Sequence, residues 1–339
     1  MTRQVAWGAV FTLAIVMAAA PLPDGIVERW YSTGFFPVIQ WPLTTLSNLV
    51  PFAVFDALWI GAVAGTIIMF RRRVRESGWG RGFVRAAGTM LRASALVYLV
   101  FLTMWGLNYR RVPVIDKVVF DPDRVTREGS LALGDWAVNE LNARYGEAHT
   151  TPMSLDALHR AFDDAHRGLG GRTIAFGRPK QTLLGWYFHK AAIAGMTDPF
   201  LLETLIAPDL IDAERPFVIA HEWAHLAGYA DESEANFLAY LTCRRGDAAA
   251  RYSAALMTLG YAAPSRTMRD ALEIGPRIDL FAIRMRYART SGALRFAARE
   301  GYDKYLKANR VEKGVESYDA VVQLILGTVS DSHGNPRLR

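Results

Sequence analysis

The chain has 339 residues, of which 51% are hydrophobic and 21% are charged, and its formal net charge is +6. These values exclude intrinsic disorder, which needs low hydrophobicity and high net charge. The mean hydropathy of +0.08 is typical of a soluble domain averaged with membrane segments. The excess positive charge is concentrated in one stretch, residues 71–92, so it indicates membrane topology and argues against a nucleic-acid partner.

Three apolar stretches in the first third of the chain predict transmembrane helices. They cover about residues 4–23, 48–70 and 91–109. At about 1.5 Å per residue, each is long enough for a hydrocarbon core of roughly 30 Å. The first stretch ends in Ala18–Ala20, which is also typical of a cleaved signal peptide. We therefore expect residues 1–110 to form a membrane region whose partner is the lipid bilayer.

Seven arginines lie within residues 71–92, between the second stretch and the start of the third, and Glu76 is the only acidic residue among them. Loops rich in arginine and lysine stay on the cytoplasmic side of a membrane. The third stretch then delivers residues 111–339 to the opposite side. The sequence thus predicts a multi-pass protein of the bacterial inner (cytoplasmic) membrane with an extracytoplasmic domain.

The part after residue 110 has mostly helical patterns. Apolar residues recur at helical spacing over 130–145 and 154–166, and Ser154 is suited to cap the second helix. Short apolar runs separated by glycine and proline over 172–206 predict a small sheet of two to four strands. Helical patterns return after Glu232.

The strongest motif is HEWAH at residues 221–225, an HExxH sequence. An apolar run precedes it, and Pro216 suits the first turn of a helix, so we expect an HExxH helix. Histidines at i and i+4 share one face of a helix and can bind the same ion. The motif therefore predicts His221 and His225 as metal ligands and Glu222 as the general base.

A catalytic zinc site needs a third protein ligand and one open position. Three acids follow the motif closely: Asp231, Glu232 and Glu234. Asp231 and Glu234 have the spacing of a capping box at the start of the next helix, which gives both a structural role. Glu232 is then favoured as the third ligand, with Asn236 one turn later to hydrogen-bond a ligand. Asp231 and Glu234 stay open as alternatives, because Asp231 follows His225 at a spacing that a glycine turn permits.

The string HEWAHLAGYADESEANFLAYL, residues 221–241, resembles the gluzincin metallopeptidases. In that family a second helix with an E-x-E-A-D or E-x-E-A-N pattern supplies the third zinc ligand through its first glutamate. Glu232, Ala235 and Asn236 match this pattern. The resemblance implies a zincin-like metallopeptidase domain over residues 111–339 and one zinc ion (Zn2+) per chain.

The chain also resembles a bacterial family of membrane-anchored HExxH proteins that is catalogued as a domain of unknown function. Besides HExxH, the shared blocks are Trp105–Arg111 (WGLNYRR), Pro199–Glu203 and Asn309–Leu326. The chain departs from that family at Asp231, where the family more often has a basic residue. The resemblance implies a fold and a metal site without naming a substrate, and it makes Tyr318 a candidate for stabilising an oxyanion.

The expected fold class is therefore α-rich α+β: three N-terminal transmembrane helices, then a zincin-like metallopeptidase domain with a small sheet and an HExxH active-site helix. Zinc held by His221, His225 and Glu232 would lower the pKa of a bound water to roughly 7. Glu222 would accept its proton, and the resulting hydroxide would attack a carbonyl of a peptide or protein substrate.

Two further expectations concern substrate and activity. The stretch 198–207 before the active helix is interpreted either as an edge strand along which a peptide pairs or as an ordinary buried strand. The alternative function is a catalytically inactive zincin-like membrane sensor or binding protein. The intact Glu222 argues against it, since a purely structural zinc site has no use for a base.

Overall fold

The computed structural model describes residues 3–262, 265–309, 320–332 and 334–339, and most of them are helical. The N-terminal helices α1 to α4 lie at Arg3–Ala19, Asp24–Ile26, Phe36–Asn48 and Val54–Met104, with a π-helical stretch at Val27–Phe35. The next helices, α5 to α11, lie at Val114–Lys117, Arg127–Thr150, Leu155–Gly168, Gly185–Ala191, Arg215–Leu226, Glu232–Arg245 and Ala248–Tyr261. The last ones, α12 to α15, lie at Arg266–Asp270, Ile274–Ala288, Gly292–Ala308 and Ala320–Gly327.

The sheet consists of two antiparallel strands of three residues, β1 at Gly195–Thr197 and β2 at Thr204–Ile206. Met196 lies opposite Leu205, and Lys180 forms a parallel bridge on the other side of β2. β2 is therefore the inner, buried strand and β1 is the edge. So little sheet does not support the expected α+β class, and the described part of the chain is a helical fold.

The expectation of three transmembrane helices followed by a zincin-like domain is wrong. Among the described helices, α4 is long and apolar enough to cross a membrane. The helices Val5–Ala19 and Asp24–Asn48 are separated by a bend, and they add a second candidate only if the pair is taken as one broken span. The stretches expected at 48–70 and 91–109 lie mostly within α4. The arginines between them flank a non-helical residue, Gly78, so this segment is helical on both sides of a sharp bend. The sheet is also too small for the expected zincin-like domain.

The helix α4 is sharply bent at Gly78, where φ is +72° and ψ is 170°. A straight helix of its 51 residues would be about 76 Å long. Residues at its two ends, Ala53 and Trp105, nevertheless belong to the same buried core. The helix therefore folds back on itself. A Cβ at Gly82 would lie 2.7 Å from the Arg73 carbonyl oxygen, so glycine permits this close approach.

The HExxH helix α9 lies in the middle of the core. Trp223 and Phe217 on α9 and Phe237 on α10 are fully buried. The same apolar cluster includes Phe36 and Leu102 from the N-terminal helices. The predicted domain boundary at residue 110 stays a prediction, and the core is continuous across it.

One buried ion pair connects the N-terminal helices to the sheet. Lys180 Nζ lies 2.6 Å from Glu203 Oε1, and the two side chains are 3% and 0% exposed. The Glu203 carboxylate also accepts hydrogen bonds from the backbone N–H groups of Val54 and Phe55 at the start of α4 and from the Ser47 hydroxyl. The negative charge of the buried carboxylate is thus balanced by a cation and by hydrogen bonds. The carboxylate fixes the start of α4 to the loop before β2.

We expect Lys180→Met to lower the free energy of unfolding by about 3–5 kcal/mol, because Glu203 would stay buried without its cation. The double variant Lys180→Met/Glu203→Gln should recover much of that loss. The matched control is Lys304→Ala, which removes a solvent-exposed pair with Glu300 and should change stability little. Denaturant unfolding of the detergent-solubilised protein measures the stability of the three variants. An unfolding midpoint of Lys180→Met equal to that of wild type would contradict a stabilising role of the buried ion pair.

Candidate metal centre

The helix α9 presents the HExxH residues because of its sequence at both ends. Pro216 occupies the first turn, as expected. After the helix, Gly228 has a φ of +82°, a left-handed conformation that glycine adopts without strain. A Cβ there would also lie 2.9 Å from Asn108 Oδ1. The chain therefore turns tightly and brings α10 back against α9.

The structure brings three of the predicted ligands together. His221 Nε2 and His225 Nε2 lie 3.1 Å apart. Glu232, the first residue of α10, faces them, with 3.2 Å between His221 Nε2 and Oε2 and 3.7 Å between His225 Nε2 and Oε1. Within the described residues, His221, His225 and Glu232 form a group whose ligand atoms lie within 4.8 Å of one another.

The other ring nitrogens fix which atoms face the centre. His221 Nδ1 lies 2.8 Å from Asn236 Oδ1, and His225 Nδ1 lies 2.7 Å from the Tyr229 carbonyl oxygen. A carbonyl oxygen only accepts hydrogen bonds, so each ring carries its hydrogen on Nδ1 and donates it. Both Nε2 atoms then present lone pairs to each other and to a carboxylate. Two lone pairs and a negative charge repel one another, so this arrangement requires a positively charged species between the two Nε2 atoms and the carboxylate.

A proton or a metal ion can be that species. Burial alone would lower the pKa of His225, but the Glu232 carboxylate, together with Glu222 and the Tyr229 carbonyl, outweighs burial and raises it to about 9. Burial opposes the charge of Glu232 as well, yet the positive charge of His225 and hydrogen bonds from both histidines hold its pKa well below the usual range. Two imidazole nitrogens and one carboxylate are a donor set that zinc uses in catalytic sites. The residues present therefore fit zinc.

Glu222 points to the neighbouring strand. Its Oε2 accepts a hydrogen bond of 2.9 Å from the Thr197 hydroxyl, which also donates to the Glu222 carbonyl oxygen. A Cβ at Gly195 would lie 2.5 Å from Glu222 Oε1, so glycine at the start of β1 leaves room for the carboxylate. Burial raises the pKa of Glu222 against the lowering effect of the two histidines. Sequence reasoning missed Thr197 and Gly195, since neither belongs to a motif.

The two alternative ligands lie elsewhere. The Asp231 carboxylate caps α10 by accepting from the N–H groups of Ser233 and Glu234. Glu234 does not complete the predicted capping box, because its Oε1 accepts from the Val114 N–H at 2.6 Å. Burial raises the pKa of Glu234 to about 7. The geometry thus gives both acids structural hydrogen bonds and leaves Glu232 facing the histidines.

Tyr302 is a site residue that the sequence did not reveal. Its hydroxyl on α14 donates a hydrogen bond to Glu232 Oε1. Seventy positions separate these residues, and a lone tyrosine in a helical pattern gives no local signal. Tyr318, the residue expected to stabilise an oxyanion, lies outside the described residues.

The block WGLNYRR supports the loop that orients His225. Trp105 Nε1 donates to the His225 carbonyl oxygen at 2.9 Å. Arg111 Nη1 donates to the Ala227 carbonyl oxygen at 3.3 Å, and its guanidinium lies 4.4 Å from the centre of the Tyr229 ring. Glu28 accepts from Arg111 Nε and Nη2 and so holds the guanidinium in place. This network fixes the turn whose carbonyl oxygen holds His225 Nδ1.

Comparison with known proteins identifies a family and no activity. A family model described as "Protein of unknown function (DUF3810)" matches residues 31–326. No curated protein matches the chain. No solved structure matches it.

The geometry predicts which acid binds the metal. Glu232→Gln should remove most of the zinc that copurifies with the protein, because a neutral amide is a much weaker ligand than a carboxylate. Asp231→Ala should keep the zinc but lower stability by about 1 kcal/mol through loss of the helix cap. Glu234→Gln should also keep it. Metal analysis of the purified variants measures their zinc content. Zinc that is retained by Glu232→Gln but lost from Asp231→Ala would identify Asp231, and not Glu232, as the third ligand.

The hydrogen bond from His221 to Asn236 gives a second prediction. Asn236→Ala should weaken zinc binding by about 10–100-fold, because His221 would lose the acceptor that fixes its ring and its tautomer. Asn236→Asp keeps an acceptor at that place and is the matched control. Competition with a chelator measures the affinities, and equal affinity in Asn236→Ala and wild type would refute a role for this residue.

Proposed function

Because the chain belongs to the DUF3810 family, whose name assigns no reaction, we propose its function from the site: a membrane-associated, zinc-dependent hydrolase of peptide bonds. The observation that supports this most directly is the pair of Nε2 lone pairs that face Glu232. That donor set favours a catalytic zinc over a structural one, because three protein ligands leave a position open.

Zinc held by His221, His225 and Glu232 would supply Lewis acidity and would lower the pKa of a coordinated water. The side chains around the site carry out the remaining steps, which are proton transfers. Glu222 is 3% exposed and is oriented by Thr197. Because burial raises its pKa, the carboxylate is adapted to accept a proton and later donate it to the leaving amine.

A peptide is the substrate class that the neighbouring strand favours. β1 pairs with β2 along one edge, and no other described strand pairs with its opposite edge. The side chain of Thr197 in β1 contacts the Glu222 carboxylate. An extended peptide that added to β1 as a further strand would therefore bring its backbone carbonyls beside the base. The stretch 198–207 cannot serve this purpose, since Thr204–Ile206 is the inner strand.

We further propose that the protein resides in the bacterial cytoplasmic membrane with its site on the extracytoplasmic side. The supporting features are the bend of α4 at Gly78 and the arginines beside it, Arg71, Arg72, Arg73, Arg75, Arg81 and Arg85. By the positive-inside rule this bend faces the cytoplasm. Both ends of α4 then lie at the opposite face of the lipid bilayer, together with the core that contains α9.

The decisive experiment compares wild type with Glu222→Gln on a library of peptides. Loss of the base should reduce cleavage by about a hundredfold or more, while zinc content stays at wild-type level. Glu147→Gln changes an exposed glutamate on α6 in the same chemical way and should cleave normally. Cleavage that persists in Glu222→Gln would overturn the proposal, and zinc without any cleavage by wild type would favour the inactive sensor or binding protein instead.

A further inference from the structure

The helix α13, Ile274–Ala288, exposes apolar side chains on its outer face. Ile274, Ile278, Phe281 and Met285 are 79%, 55%, 63% and 39% exposed. Their spacing of i, i+4, i+7 and i+11 places them in one narrow stripe along the helix. These four residues are termed the α13 stripe.

The inner face of the same helix carries charged side chains. Asp279 and Arg286 are 8% and 6% exposed. Asp279 Oδ2 accepts a hydrogen bond of 2.6 Å from the Tyr252 hydroxyl and lies 3.1 Å from His149 Nε2. Arg286 Nη2 donates to Glu214 Oε1 at 2.7 Å. Both charged groups are therefore held inside by specific partners.

A surface helix of a water-soluble protein turns its apolar side chains inward and its charges toward water, whereas α13 directs two charged side chains inward and four large apolar side chains outward. Leu280 and Ile283 pack against the core beside these charged groups, and the four residues of the stripe remain on the outside. A contiguous apolar stripe in water is unfavourable and marks a contact surface. The α13 stripe is thus suited to an apolar surrounding.

The charges around the stripe distinguish between possible partners. Residues 273–300 contain six arginines and three acidic residues. Arg277 and Arg284 lie along one side of the stripe at helical spacing. An antiparallel two-fold contact between the stripes of two copies would bring these arginines against each other. Anionic lipid headgroups would instead attract them, as in interfacial amphipathic helices.

Exposed apolar side chains also occur beside α8, which is hydrogen-bonded to the segment after α13 and lies next to the start of α4. The Ser291 N–H donates to the Lys190 carbonyl oxygen and so attaches the segment after α13 to α8. Before and within α8, Leu183 and Trp186 are 72% and 68% exposed. The Leu183 N–H donates to Asp56 Oδ2 at the start of α4. Tryptophan beside the end of a membrane helix is typical of the bilayer interface.

We propose that the α13 stripe lies in the interface of a bilayer with anionic headgroups and forms a second membrane contact beside α4. The arginines at its side face the headgroups, and the four apolar side chains enter the acyl boundary. This contact goes beyond the proposed peptidase and needs neither a metal ion nor catalysis.

The test uses the full chain in vesicles of phosphatidylcholine and phosphatidylglycerol, with the buried Cys243 replaced by alanine. A fluorophore is attached at Phe281→Cys in the stripe or, as the matched control, at Asp156→Cys on α7, where the side chain is 87% exposed. Lipids brominated along the acyl chain quench fluorophores within the bilayer. We expect severalfold stronger quenching at position 281 than at position 156, and stronger quenching as the phosphatidylglycerol fraction rises.

Equal quenching at the two positions would overturn the proposal. Self-quenching at position 281 that follows protein density and not bromine would identify a second copy of the chain as the partner, and it would overturn the proposal as well. Ile278→Cys repeats the measurement at a second exposed position, so poor folding of one variant does not decide the outcome. Quenching that ignores the phosphatidylglycerol fraction would refute the role of the arginines.

Discussion

The site depends on one constraint: two imidazole rings are held by their outer nitrogens so that both inner nitrogens face the same carboxylate. Asn236 fixes one ring from α10, and the Tyr229 carbonyl fixes the other from the turn before it. The turn and α10 must therefore be placed as accurately as the histidines. Gly228 serves this requirement, because a left-handed residue lets the chain return after a single turn.

The N-terminal helices contribute to the same requirement from the other side. Trp105 and Arg111 donate to the carbonyl groups of His225 and Ala227, and Glu28 holds Arg111. Far from this turn, the Lys180–Glu203 pair fixes the first residues of α4 to the loop before β2. The long apolar helix α4 is thus attached at both of its ends to a core that contains the site. Truncation before residue 110 would remove Glu28 and Trp105, which support the candidate metal centre, as well as α4, the proposed membrane anchor.

Local parts of this arrangement could be predicted from the sequence, and non-local parts could not. Helical spacing puts His221 and His225 on one face, so HExxH predicts their proximity without knowledge of the fold. The cap at Asp231 was predictable for the same reason. The partners of Glu222 and Glu232, which are Thr197 and Tyr302, come from distant segments that long-range packing brings together. The transmembrane prediction failed for a related reason: a hydropathy window measures local apolarity only, and it registers neither the bend at Gly78 nor the bend between Val5–Ala19 and Asp24–Asn48.

The proposed membrane contact and the proposed metal centre meet in α14. This helix follows α13 directly, and its Tyr302 donates a hydrogen bond to Glu232, while Tyr305 packs against Phe101 near the end of α4. If the α13 stripe lies on the bilayer, the membrane limits how α14 can move away from the site. The hydroxyl of Tyr302 is then held over the carboxylate by a lipid surface as well as by protein contacts. The proposed metal centre would then depend on the membrane for part of its geometry, because lipid would cover the apolar outer side of α13, the helix that leads into α14.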